Sequence, residues 1–227
     1  MNYKEYIAYH RQGDAGVEER MIASLCKHYR LDGWDSFRLI YFYTMTYHIP
    51  SALAMLLEGE RDMKRLKFRT DRRYVRCNGA YDRLLEELKR DKYDKLLSVS
   101  TTQDAYDEVS KWFFFGRYAA FLFLEVYMNV FSPRWIDNVA YGWEPDENYT
   151  KGAVHILGTD DREKLDKFLK DSIRDTGENA FSIETSLCSV AKFVKGTRWN
   201  GYYTERMLED ARGTKYEGII NKLLVCQ

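Results

Sequence analysis

Eight basic side chains fall between residues 61 and 76, in the stretch RDMKRLKFRTDRRYVR: Arg61, Lys64, Arg65, Lys67, Arg69, Arg72, Arg73 and Arg76, set against only Asp62 and Asp71. A guanidinium is a planar fork that grips phosphate oxygens in pairs, and aromatic rings among arginines can stack on bases. The chemistry this stretch points to is contact with phosphate or nucleic acid. Its bland alternative is a solvated helix and loop.

A second candidate is KWFFFGRYAAFLFLE, residues 111–125. A turn that ends in glycine and runs into a helix presents free backbone amides, which bind phosphate. Gly116 would end that turn and Arg117 would lie in the first helical turn. The alternative is a core helix whose glycine allows close packing. The third candidate is KGTRWNGYYTERMLEDAR, residues 195–212. With a helix starting at Tyr202, the side chains of Tyr202, Arg206, Glu209 and Asp210 fall on or beside one face, and Tyr203, Arg206 and Asp210 make a similar stripe. Such a face supplies a phenol, a guanidinium and carboxylates, enough for phosphate binding plus a general base. An exposed helix with internal ion pairs is the alternative.

Other chemistries find little to work with. His10, His28, His48 and His155 share no HxxxH or HxH spacing, and Cys26, Cys77, Cys188 and Cys226 form no CxxC pair, so no metal site is expected and the thiols read as reduced and cytosolic. The chain has no GxxxxGK[ST] phosphate loop, no GxGxxG dinucleotide motif and no nucleophile elbow.

These candidates must be positioned by helices. Over 227 residues, 45% apolar residues and only three prolines suit a globular chain with long uninterrupted helical stretches. Helical spacing runs from Glu18 to Tyr29 and from Tyr81 to Leu97. Asp35 precedes SFRLIYFYTMTYHI, which reads as a helix capped by Asp35 or as a strand; Pro50 then opens SALAMLLEGE as a helix. Further helices are expected over Thr102–Ser110, from Gly116 through Tyr127, from Thr159 through Ile173, over Glu184–Val194 and over Tyr202–Ala211, with a loop-rich aromatic segment from Ser132 to Asn148. The apolar run from Trp112 to Phe131 contains Arg117, Glu125 and Asn129, each costly in hydrocarbon, so a buried helix is expected there and no membrane span. The opening MNYKEYIAYHRQGD lacks an apolar signal core, and secretion is not expected. The fold expected is a single mainly α domain over 1–227.

Taken together, TDRRYVR, the central W-x3-GRY-x-A helix and the late RW-x-GYY-x-[ED]-R-x-LED helix resemble the phage amino acid:DNA transferases, which are grouped with the α-glutamyl/putrescinyl-thymine pyrophosphorylases. The likeness runs in order through residues 69–212. It implies a helical fold similar to the helix-hairpin-helix DNA glycosylases. It also implies a phage-encoded enzyme of thymine hypermodification, working in the host cytoplasm on double-stranded DNA. In that chemistry a hydroxymethyluracil already activated as a pyrophosphate ester is attacked at its exocyclic methylene by a small amine, an amino acid or polyamine, and pyrophosphate leaves.

The residues take roles under this resemblance. Arg69, Arg72, Arg73 and Arg76, with Lys195 and Arg198, would neutralise the leaving pyrophosphate and the DNA backbone. Gly116 and Arg117 would hold the backbone, and Arg206 would act with a carboxylate base from Glu209, Asp210 or Glu125. Trp199, Tyr202 or Tyr203 would stack on an extruded uracil. No redox or organic cofactor is required, and the chemistry admits a divalent metal on the pyrophosphate. Two other readings stay open. One is a DNA glycosylase with Asp137, about twenty residues beyond Gly116, as its aspartate; the other is a non-catalytic nucleic-acid-binding protein. The net charge is zero, with ten acids against six bases across 144–178, which is read as an acidic helix turned away from DNA.

Overall fold

The computed structural model describes residues 17–194 and 204–225. Among these the regular secondary structure is helical, the one β-type pairing being an isolated bridge between Thr101 and Ile136. The helices are α1 (Val17–His28), α2 (Gly33–Thr46), α3 (Ile49–Leu57), α4 (Ala80–Glu86), α5 (Arg90–Ser98), α6 (Thr102–Val109), α7 (Arg117–Phe131), α8 (Asn148–Leu157), α9 (Arg162–Thr176), α10 (Ala180–Val194), α11 (Thr204–Ala211) and α12 (Glu217–Val225), with a 3-10 helix at Thr70–Arg76. None is long and apolar enough to cross a membrane.

The described residues group into two compact units. The larger comprises 18–99, 104–134 and 204–225. Its centre is α2, buried almost continuously from Ser36 to Thr46, as a helix apolar on all sides must be. The cap of α2 is Asp32 and not Asp35: the Asp32 carboxylate accepts the Asp35 N–H at 2.7 Å. The helix ends at Tyr47, held in the left-handed region at φ 51°, and α3 starts at once with His48 as its cap and Pro50 in its first turn. Helices α3, α5 and α7 and the 3-10 helix pack on α2, and α11 packs on α3.

The aromatic run before α7 supplies the core beside α2. The Trp112 and Phe115 rings are buried, Trp112 lying 5.3 Å from Phe123 of α7 and Phe115 lying 5.1 Å from Tyr41 of α2. The Tyr81–Leu97 stretch forms α4 and α5 instead of one helix. On a continuous helix Leu84 and Leu96 would point about 120° apart; an extended step at Lys89 lets both be fully buried.

The smaller unit comprises, of the described residues, Val17, 100–103 and 135–194. Helices α8 and α10 cross closely at Gly152, where a Cβ would lie 2.1 Å from the Leu187 carbonyl oxygen. The loop before α8 is stitched by the Thr102 hydroxyl, which accepts the N–H groups of Asn138 and Val139. It is fixed further by the Trp143 indole, which donates to Asp166 of α9 at 2.6 Å. Asp161 caps α9, accepting from Glu163 and Lys164. Helices α8 and α12 lie where no helix was expected, and α10 begins four residues before the expected Glu184.

Candidate functional site

In the larger unit an open cavity of about 330 Å³ is lined by His48, Lys67, Phe68, Arg69, Arg73, Arg76, Arg206 and Asp210. Three elements build it. His48 comes from the α2–α3 junction, and the 3-10 helix with the irregular stretch before it brings Lys67 to Arg76. Helix α11 brings Arg206 and Asp210, four residues apart and so on one helical face. Two separate sequence candidates, the arginine cluster and the late helix, thus meet at one site. Lys67 and Arg73 are exposed and have no carboxylate partner among the described residues. Arg76 donates to the Leu66 carbonyl at 2.6 Å and lies over the Phe68 ring at 4.8 Å.

Beneath the cavity is a buried polar chain. Arg69 donates from Nε and Nη2 to Asp210 Oδ2 at 3.0 and 2.6 Å, and from Nη1 and Nη2 to the two oxygens of Glu18 at 3.0 and 2.5 Å. The Tyr43 hydroxyl also donates to Glu18, at 2.6 Å. Burial alone would lower the Arg69 pKa, but Glu18, Tyr43 and Asp210 more than reverse it and keep the guanidinium charged. Arg69, expected to grip a ligand, instead turns its fork onto two carboxylates and fixes Asp210 at the cavity wall.

His48 stands beside this chain, its Nε2 3.6 Å from Asp210 Oδ1. Its Nδ1 accepts the Ser51 N–H at 3.1 Å as the cap of α3, and the Ser51 hydroxyl lies 2.9 Å from the same nitrogen and accepts the Lys67 N–H at 2.8 Å. Burial pushes the imidazole down to a pKa of about 4, against the opposing pull of Asp210, so the ring is neutral near pH 7. Glu19, also buried, is held protonated: burial, and then the charge of Glu18, raise it to about 8.

The other expected site residues are distributed as follows. Arg72 does not line the cavity. It is fully buried, with Nη1 donating to the Tyr74 hydroxyl at 2.6 Å and its guanidinium 5.3 Å from the Tyr74 ring, and burial lowers its pKa. Glu209 is exposed on α11, and Glu125 is buried within α7, neither lining the cavity. Gly116 caps α7 at an ordinary φ of −63°, with open space where a Cβ would stand, so close packing does not demand glycine there. Arg117 lies over the Phe121 ring at 4.3 Å. Asp137, in the smaller unit, accepts the Ala180 N–H at 2.8 Å at the start of α10, and burial raises its pKa. Lys195, Arg198, Trp199, Tyr202 and Tyr203 lie outside the described residues.

Sequence reasoning passed over His48 and Glu18. Pro50 marks the helix start, but histidine is not among the usual N-cap residues, so the capping role of His48 is not legible in the sequence. Glu18 meets Arg69 across 51 residues, which no local pattern reveals.

Comparison with protein-family models, with curated proteins and with solved structures finds no match to this chain, so the likeness to helix-hairpin-helix glycosylases gains no support from them.

Proposed function

We propose that this chain is a transferase acting on modified thymine in DNA, as its resemblance to the phage amino acid:DNA transferases implies. An amine attacks the exocyclic methylene of 5-pyrophosphoryloxymethyl-uracil; the new C–N bond forms as the C–O bond breaks, and the electron pair leaves with pyrophosphate. The observation that supports this reading is the cationic cavity in which Arg73 and Arg76 of the 3-10 helix face Arg206 and Asp210 of α11. A leaving group that gathers charge needs preorganised cations, and Lys67, Arg73, Arg76 and Arg206 supply them. The amine must lose a proton, and Asp210 is the carboxylate that lines the cavity, its Oδ2 held by Arg69. Of the carboxylates considered, Asp210 therefore takes the base role, ahead of exposed Glu209 and of Glu125. The backbone role of Gly116 and Arg117 rests on the resemblance alone.

The test is to incubate the protein with double-stranded DNA carrying the pyrophosphorylated base and a mixture of amino acids and polyamines. Pyrophosphate release with a heavier nucleoside is expected. Free base or an abasic site would replace this reading with a glycosylase, and tight binding with neither product would leave a nucleic-acid-binding protein.

A further inference from the structure

His48 is a capping residue by one ring nitrogen and unemployed by the other. Its Nδ1 accepts the Ser51 N–H, which assigns the proton of the neutral ring to Nε2. Nε2 is buried and has no hydrogen-bond partner among the described residues; Asp210 Oδ1 is 3.6 Å away, beyond hydrogen-bonding distance. The residue is 3% exposed, yet it lines the cationic cavity. A buried donor left without an acceptor is costly, and native structures keep one where something else completes it.

We propose that His48 Nε2–H is an oxyanion donor of this cavity, a neutral hydrogen bond to a pyrophosphate oxygen held by Lys67, Arg73, Arg76 and Arg206. The proposal deepens the reading of the cavity as a pyrophosphate site and rests on it. The geometry suits the task on both sides of the ring. Ser51, anchored by the Lys67 N–H, fixes the tautomer and the ring orientation from behind. In front, the Asp210 charge that would repel an anion is offset by Arg69, which grips Oδ2 through two of its nitrogens. The four cations attract the anion through charge, which acts from any direction; the single N–H of His48 gives it one orientation. In the transferase reaction that orientation directs the bridging oxygen, the one that takes up charge as the C–O bond breaks, toward the donors.

The capping and donor roles separate by substitution. His48→Asn keeps a side-chain acceptor for the Ser51 N–H, since asparagine is a strong N-cap, but has nothing where Nε2–H stood. Binding of inorganic pyrophosphate to the full chain is measured by calorimetry, with melting curves alongside. The expected result is that wild type binds and His48→Asn binds about tenfold more weakly while melting as wild type does. In wild-type protein the 15N-resolved Nε2–H resonance of His48 is expected to shift on adding pyrophosphate, and this readout decides the matter should His48→Asn fail to fold. Unchanged affinity in a folded His48→Asn, or an Nε2–H signal that ignores pyrophosphate while wild type binds it, overturns the donor and leaves the cavity reading standing. Absence of pyrophosphate binding in wild type overturns both.

Discussion

Arg72 and Arg73 are neighbours in sequence and opposite in circumstance. Arg73 is exposed at the cavity, whereas Arg72 is fully buried against Tyr74, and its Nε and Nη2 have no partner among the described residues. A buried guanidinium with no carboxylate carries a desolvation penalty that an apolar chain of similar length does not. Arg72→Met is therefore expected to melt at or above the wild-type temperature and to keep its affinity for pyrophosphate. Arg73→Met is expected to melt as wild type and to bind pyrophosphate about tenfold more weakly, the loss of one charge-assisted contact. Paired thermal melts and calorimetry on the two variants check this. A larger affinity loss in Arg72→Met than in Arg73→Met would show that Arg72 is the ligand residue. The RR pair cannot be sorted from sequence, because both residues are cations and only the turn of a 3-10 helix decides which one faces inward.

The same asymmetry separates two glycines at the level of elements. Gly152 sits where α8 meets α10, and a methyl group there would strike the Leu187 backbone, which cannot swing aside as a side chain can. Gly152→Ala is expected to lower stability by about 1–3 kcal/mol in denaturant unfolding, the ordinary range for overpacking. Gly116→Ala, with open space around it and φ at −63°, is expected to stay within about 1 kcal/mol of wild type, alanine being a weaker N-cap than glycine. Equal losses in the two would mean that the α8–α10 crossing can relax. Of the two, only Gly116 stood out in the sequence, through the aromatic run before it, while Gly152 lies in a helix with no announced break. The helices that were legible are those whose apolar residues recur at helical spacing, such as Met21, Ile22 and Leu25 of α1, all fully buried. Two were missed: Asn148–Leu157, which starts at the last residue of the loop-rich Ser132–Asn148 segment, and Glu217–Val225. The cavity was half legible. Its cations were visible as a local excess, but its buried supports, Glu18 and His48, come from helices with no chemical motif, and their convergence on Arg69 and Asp210 is a property of the packing of α1, α3 and α11.

At the scale of the whole molecule the charge sum is zero, with 35 bases and 35 acids, yet the charges are not evenly spread. The larger unit carries the cavity with Lys67, Arg73, Arg76 and Arg206, while α9 of the smaller unit and the turn before it present Asp160, Asp161 and Glu163 to solvent. A protein that binds DNA through a few cations, while bearing acids elsewhere, should show a salt dependence set by those few and not by its net charge. The logarithm of the duplex-DNA association constant is expected to fall linearly with the logarithm of salt concentration, and Lys67→Gln, Arg73→Gln and Arg76→Gln should each flatten the slope by about one. Neutralising the acids together, as Asp160→Asn, Asp161→Asn and Glu163→Gln, should leave affinity equal or higher, since asparagine at 161 preserves the α9 cap and only repulsion is removed. Fluorescence anisotropy across a salt series measures both. A loss of affinity in the triple variant would place those acids in the binding surface, and an unchanged slope in all three cation variants would remove the cavity from the path of the DNA backbone.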